Sequence, residues 1–475
     1  MKVVFIQKDS FAKISIAQLA AVLNDAGHDC DLCIGSNQRK LIESALNSGA
    51  GLFAFSCTTG EEGWVSATAA ELCKGSSAPI IVGGPHTTFF PQFIEDPSID
   101  YICRGEGEGA LPDLVNARAE GLDSVGRIPN IWAKETSGEI KSMDVRPFIE
   151  DLDSLPMPDF SIYGKYKYLL PYHRNMFPII TSRGCPYNCS YCFNRRYKEI
   201  YANKGKYIRR RSPHNVIEEL LHGKESFGIT QVNFVDDSFF CSPNWLREFA
   251  ELYKEKIGLP FIINVEASQV CEELIRLVKE MGCICTRMGV ESGNNHLRQT
   301  VLNKKVTTEQ IRAAAEHIKS HGIKLVTYNI LGLPGETVDN AIETYRLNRE
   351  IHADFAQCTL LQPYPGTAIR EFVRERGLLK EEPLLQASSF VSSSIKLESE
   401  KEITNLQKLM QVFMQMHVPM FLIRAIIKLP KNPLFNFIFK LSFIYNKIKT
   451  QRTRLFPVFI LGLHSFSYMR ERKRR

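Results

Sequence analysis

Long hydrophobic runs are scarce in this sequence. Across 475 residues the longest unbroken apolar stretch is FPVFILGL, Phe456 to Leu463, far short of the roughly 20 residues needed to span a bilayer. The N-terminus, MKVVFIQKDS, has neither the extended apolar region nor the small-residue cleavage site of a signal peptide, and reads as a first strand. A disulfide framework is missing too. The 13 cysteines are odd in number, and Cys57, Cys73, Cys103 and Cys358 stand singly in apolar surroundings, as reduced core thiols do. A cytoplasmic protein is expected. Acidic residues nearly vanish at one end: residues 421–475 hold one against 13 Lys+Arg, while the other 420 hold 51 against 46. The formal net charge of +7 therefore belongs to the tail and gives no reason to expect nucleic-acid binding by the main body. Short-period repeats and low-complexity tracts are also lacking, which excludes a solenoid.

What is present is a folded, multidomain composition, 44% hydrophobic and 23% charged. At roughly 100–200 residues per domain, two to four units are expected. Residues 1–125 alternate short apolar runs (VVFI, DCDLCI, GLFAFS, PIIVGG, DYIC) with helical patterns, predicting an α/β, doubly wound, Rossmann-like domain. Ligands bind such sheets beyond the carboxyl ends of the strands, here Gln7–Ser10, Ser56–Gly60, Gly83–Thr88 and Arg104–Gly109. Residues 126–170 read as a proline-punctuated linker containing the hairpin-like NIWAKETSGEIKSM. A second strand–helix series follows over 171–375, with strands at 178–182, 232–236, 261–267, 285–291, 324–331 and 355–362. It predicts a partial (β/α)6 barrel with its chemistry at the C-terminal strand ends. Residues 376–475 read as a helical, basic C-terminal region.

The first barrel strand runs into TSRGCPYNCSYCFNRR, which sets Cys185, Cys189 and Cys192 at C-x3-C-x2-C spacing. Three thiolates this close suit a metal centre, and a four-iron cluster held by three cysteines keeps one iron open to a non-protein ligand. A structural zinc normally takes four protein ligands, and the nearest histidine is His173. Gly184, Pro186 and Asn188 make the segment a loop rather than a core strand.

This run, with Tyr191 just before the third cysteine, resembles the signature of radical S-adenosylmethionine (SAM) enzymes. The resemblance implies a [4Fe-4S] cluster on the three cysteines, chelation of SAM by its open iron, and one-electron cleavage of SAM. It also places Tyr191 near the adenine, and Asp236 and Asp237 of FVDDSFF where the family receives the SAM ammonium. As residues alone, that Asp-Asp-Ser stretch also reads as a helix N-cap before Pro243. Glu291 of GVESGNN resembles a ribose or methionine contact, and a buried carboxylate without a partner would be costly. NILGLPGET, with Gly332 and Gly335, and QPYPGT, Gln362 to Thr367, resemble the fifth- and sixth-strand motifs.

A doubly wound domain ahead of the barrel, joined through Met157-Pro158-Asp159, resembles the cobalamin-binding (B12-binding) subgroup of these enzymes. By that resemblance Ser56, Thr58, Gly83 and Gly84 line the cobalamin, with His86 of GGPHTT a candidate contact. The Asp-x-His-x-x-Gly motif that supplies a cobalt ligand in other cobalamin domains is missing after the first strand, which continues QKDSFAKIS. His28 reads as a surface or helix-end residue, and Cys283 and Cys285, alternating along a strand, read as core.

The resemblance implies a cobalamin-dependent methyltransferase acting on an unactivated carbon of a small or lipid-like substrate, with a flavodoxin- or ferredoxin-type electron donor. Two alternatives remain: an oxidative cyclase or rearrangement enzyme with the same cofactors, and a non-catalytic cobalamin or redox sensor. The tail segment FLIRAIIKLPKNPLFNFIFKLSFIYNKIK has two readings as well. It has the composition of an interfacial amphipathic helix making peripheral membrane contact, or of helices capping the barrel with basic side chains snorkelling into water.

Overall fold

The computed structural model describes residues 1–8, 11–122, 126–135, 137–169, 174–240, 242–380, 390 and 393–451. Its described residues divide into two units: those of 1–169 with the short segment 198–209, and those of 174–197 with 210–451.

In the first unit, five parallel strands, β1 (Lys2–Gln7), β2 (Asp29–Ile34), β3 (Leu52–Ser56), β4 (Ile80–Gly83) and β5 (Tyr101–Cys103), lie in the order β2-β1-β3-β4-β5. Their apolar runs are buried on both faces, as a helix-covered parallel sheet requires. The chain reverses direction across the sheet between β1 and β3, the switch point at which such sheets hold ligands. The expected linker departs from its forecast. Residues 131–142 form two antiparallel strands, β6 (Ile131–Lys134) and β7 (Ile140–Ser142), that extend the sheet beyond β5. Tyr163 and Tyr166 then tie the rest of that segment back, with Tyr163 Oη donating to Gln7 Oε1 at 2.9 Å and Tyr166 Oη to Leu32 O at 2.8 Å.

Two isolated side chains also differ from expectation. His28 is buried rather than on the surface, its Nε2 2.8 Å from Asn116 Oδ1. Cys73 is exposed at the end of a helix, while Cys57, Cys103 and Cys358 are buried.

The second unit is the expected open barrel. Six parallel strands, β8 (Phe177–Ile179), β9 (Val232–Phe234), β10 (Phe261–Val265), β11 (Cys283–Glu291), β12 (Lys324–Leu331) and β13 (Phe355–Leu360), pair strictly in sequence. Cys283 and Cys285 lie buried in β11. The intervening helices begin where side chains satisfy the free N–H groups of the first turn. Ser212 Oγ accepts from Asn215 N, and Thr307 and Thr337 form capping boxes with Gln310 and Asn340.

The edge strand β13 is covered by the helix Glu400–Gln415. Its Gln411 Oε1 accepts from Ala356 N at 2.9 Å and its Gln407 Nε2 donates to Cys358 O at 3.0 Å, occupying backbone groups an open edge would leave unpaired. The last described helix, Pro433–Gln451, sits at the opposite end from the strand C-termini. Its Phe443 packs against Met176, Ile262, Cys285, Val326 and Phe355, all at or near strand starts. The tail thus caps the barrel. His173, the 456–463 run and the final RERKRR lie outside the described residues.

Candidate functional site

The cysteine loop is fastened at both ends. Where the chain leaves β8, the buried Asp236 carboxylate accepts from Thr181 N at 3.1 Å, Thr181 Oγ1 at 2.7 Å and Ser182 Oγ at 2.5 Å. Gly184, at φ +96°, turns the backbone into the loop. At its far end Ser190 N donates to Leu302 O at 2.9 Å and Ser190 Oγ to Val301 O at 2.6 Å, while Asn303 Nδ2 donates to Asn188 O at 2.8 Å.

Cys185, Cys189 and Cys192 are half-buried on this loop. Burial raises all three thiols, Cys185 up to about 12; Asp237 adds to it at Cys185 and Cys192, and the neighbouring thiols at Cys185 and Cys189. Bare thiolates are therefore disfavoured, and a cationic iron core would relieve both costs. Among the described residues no three His, Cys, Asp or Glu side chains converge as around one ion. A cubane takes each cysteine on a different iron, and three cysteines on one loop supply the thiolates it needs.

Behind the loop lies a buried group of charges that sequence reasoning found only in part. Glu291 ends β11 at φ +62°, a conformation unusual for a non-glycine residue. Burial pushes its carboxyl up to about 7, with Lys304 opposing, and Tyr191 hydrogen-bonds to it. Lys304 Nζ lies 2.5 Å from Glu266 Oε2, both side chains being nearly inaccessible. Burial works against the Lys304 ammonium, but Glu266 and Glu291 outweigh it and raise its pKa. Lys304 in turn favours the Cys189 thiolate against the burial that raises it. Gly289 is what makes room: a Cβ there would lie 2.4 Å from Glu291 Oε1 and 3.2 Å from Lys304 Nζ. Nothing in LNKKV marks which lysine is buried, but Glu266, a carboxylate closing a strand like Glu291, carried a readable signal.

The two aspartates part company. Asp236 is consumed by the strand-end clamp, whereas Asp237 keeps an exposed edge and pairs with Asn194 Nδ2 at 3.1 Å. Burial nonetheless raises the Asp237 pKa, and the Asp236 charge adds to that. Gly332, at φ +75°, donates its N–H to Glu336 Oε2 at 2.5 Å, and Leu333 N adds a bond at 3.2 Å. The other Glu336 oxygen, Oε1, is buried with no hydrogen-bond partner, and burial raises that carboxyl to about 8.

In the first unit, Ser56, Thr58, Gly83, Gly84 and His86 cluster at the C-terminal ends of β3 and β4. Gly84 is at φ +99°, and a Cβ there would meet Cys57 O at 2.8 Å, so this backbone crossing admits only glycine. Thr58 spends its N–H and hydroxyl on Glu61 Oε2, at 3.1 and 2.6 Å. His86 is buried between the rings of Phe90 and Phe93, with Nδ1 3.4 Å from Thr59 Oγ1. Burial lowers its pKa, so the neutral imidazole is favoured. His28 precedes β2 and belongs to the opposite edge of the sheet. The small residues and the neutral imidazole at these strand ends fit a large, planar-ringed cofactor approaching the backbone.

The B12 binding domain family matches residues 8–115 and the Radical SAM superfamily matches residues 179–347. An uncharacterized methyltransferase of Pyrococcus horikoshii is 29% identical over 66% of this chain and 69% of its own length. The anaerobic magnesium-protoporphyrin IX monomethyl ester cyclase of Rubrivivax gelatinosus is 30% identical over 60% of this chain, which spans about half of that relative, 51%. Among solved structures, the radical SAM methyltransferase TsrM of Kitasatospora setae has a TM-score of 0.66 at 19% identity, covering 81% of this chain and 78% of its own. The cobalamin-dependent SAM radical enzyme OxsB has a TM-score of 0.68 at 18% identity, covering 98% and 75%. A B12-binding sheet followed on one chain by a radical SAM barrel, over the same architecture as these structures, makes this chain a member of the cobalamin-dependent radical SAM enzymes, whose cofactors are a [4Fe-4S] cluster, SAM and cobalamin.

Proposed function

We propose that this enzyme methylates an unactivated carbon of a small-molecule substrate. The observation that carries the reading is the cysteine loop pinned at the C-terminal mouth of an open six-stranded barrel, with Tyr191, Glu291 and Lys304 directly behind it. When bound, the cofactors supply one-electron cleavage of SAM and a transferable methyl group, chemistry that amino-acid side chains do not provide.

The chain's own part is placement and electrostatics. Cys185, Cys189 and Cys192 hold the cluster, and the buried Lys304 charge stabilises the Cys189 thiolate. Asp237, with its exposed edge, is the carboxylate available to the SAM ammonium, while Asp236 fixes the turn that presents the loop. Tyr191 and Glu291 bound the SAM pocket on the barrel side, with Gly332 giving the backbone a close approach. At the sheet ends Ser56, Thr58, Gly83, Gly84 and His86 would hold cobalamin, and the sequence after β1, QKDSFAKIS, lacks the Asp-x-His-x-x-Gly motif. A flavodoxin- or ferredoxin-type protein supplies the electron.

The cyclase relatives favour a second reading, oxidative ring formation with the same cofactors. Anaerobic incubation of the reconstituted enzyme with SAM, reductant and cobalamin separates the two. Methylation yields 5′-deoxyadenosine and S-adenosylhomocysteine together and a product heavier by one methylene. Cyclisation yields 5′-deoxyadenosine without S-adenosylhomocysteine and a product lighter by hydrogen; that outcome overturns the methyltransferase reading.

A further inference from the structure

The helix Pro433–Gln451 carries apolar residues on its outer side as well as its inner one. Its inward positions include Ser442, Asn446 and Thr450, all buried, whereas Leu434, Phe437, Leu441 and Tyr445 recur at helical spacing on the outward side. These four are 59, 57, 50 and 43% exposed. A helix packed on a water-soluble barrel ordinarily turns its apolar stripe inward. Here the inward hydroxyls are satisfied within the helix, Ser442 Oγ donating to Phe439 O at 2.7 Å and Thr450 Oγ1 to Asn446 O at 2.8 Å. Inward packing is supplied by Phe435, Ile438 and Phe443. N-terminal to it, the helix Met420–Ile427 buries Ile423 and Ile427 in the ordinary way but leaves Phe421 71% exposed, and Leu429 is 48% exposed in the turn that follows. An apolar stripe of this length facing water marks an interaction surface.

Charge selects the partner. Residues 421–451 contain six Lys or Arg and no Asp or Glu; Arg424 pairs with Asp339 and Lys431 with Glu400, while Lys428 and Lys449 are exposed. No helix among the described residues is long and apolar enough to cross a membrane. An outward apolar stripe flanked by exposed lysines, on a helix that cannot span, matches the interface of an anionic bilayer, where the stripe enters the acyl boundary and the lysines meet the headgroups. We propose that the outward face of Pro433–Gln451 docks this enzyme on anionic membrane surfaces. The inference is independent of the reaction catalysed.

The test is cosedimentation of the full-length, reconstituted protein with phosphatidylcholine vesicles and with vesicles in which about one third of the lipid is phosphatidylglycerol. Wild type is expected to bind the anionic vesicles, less as salt is raised. Phe437→Ser/Leu441→Ser is expected to weaken binding at least about tenfold, with iron and cobalamin content unchanged because both side chains already face outward. Lys428→Glu, which leaves the apolar stripe intact, is expected to weaken binding to anionic vesicles alone. Wild type remaining in the supernatant with both vesicle types overturns the proposal, as does undiminished binding by the double variant. A wild-type dimer in light scattering that the double variant converts to monomer assigns the face to a second copy and overturns it equally.

Discussion

Lys304 and Glu266 form a buried ion pair, 2.5 Å apart, directly behind the loop that carries Cys189. Glu266 follows the end of β10 and Lys304 comes from the connection between the helices Asn295–Thr300 and Thr308–Ser320; neither has much access to water, so removing one partner strands the other. Lys304→Met is expected to cost about 3–5 kcal/mol of stability. The double variant Lys304→Met/Glu266→Gln should recover part of that loss, since it removes the orphaned carboxylate as well. Denaturant unfolding of the four members of the cycle gives the coupling directly.

Asp236 and Asp237 are neighbours in sequence with opposite expected phenotypes. Asp236→Asn gives up charge-assisted bonds from Thr181 and Ser182 and should destabilise by at least about 2 kcal/mol. Asp237→Asn, at an exposed edge, should leave stability within about 0.5 kcal/mol and raise the KM for SAM. Melting temperature and SAM-dependent 5′-deoxyadenosine formation, measured on both, separate the clamp from the contact.

Glu336 ties stability to pH. Its folded pKa, about 8, is above the ordinary carboxyl value of 4.5 because burial disfavours the charge. The native state therefore holds a proton that the unfolded chain releases. This group's contribution is fully present below about pH 4.5 and is lost as pH rises through 8, with a slope of at most about 1.4 kcal/mol per pH unit. Glu336→Gln should flatten that fall, and unfolding curves at pH 6 and pH 8.5 check it; an unchanged slope would exclude Glu336 as its source.

Gly84 tests the other cofactor. Ala at φ +99°, with Cys57 O 2.8 Å from the new Cβ, must displace the β3–β4 strand ends. Gly84→Ala should weaken cobalamin binding, followed by absorbance titration, and leave the iron content of the purified protein intact. Loss of both together would mean global unfolding instead.

Much of this architecture was legible because parallel sheets write themselves plainly: KLVTYNIL is bounded by a Gly-terminated helix and a Gly-Pro turn, and β12 occupies those eight residues. The cysteine spacing was equally direct, since three ligands to one cluster must lie close along the chain. Other features depend on contacts that no local pattern carries. The 131–142 hairpin reads as a connector because nothing in NIWAKETSGEIKSM reveals that β5 has a free edge to receive it. His28 looks polar and terminal until Asn116, 88 residues away, is placed beside it. Lys304 has a lysine for a neighbour, and only the fold decides which of the two is buried. The tail's composition suggested an amphipathic helix, but not that Leu434, Phe437, Leu441 and Tyr445 would face outward while Ser442, Asn446 and Thr450 are buried.

That last helix settles how the enzyme would lie on a bilayer. It rests against the starts of the barrel strands, and the cysteine loop follows the end of the first. The eight residues of β12 between those levels span about 26 Å, close to the thickness of a hydrocarbon core. A molecule moored by this face points its reactive mouth into the aqueous phase. On that mooring an acyl chain would have to leave the membrane entirely to reach the cysteine loop.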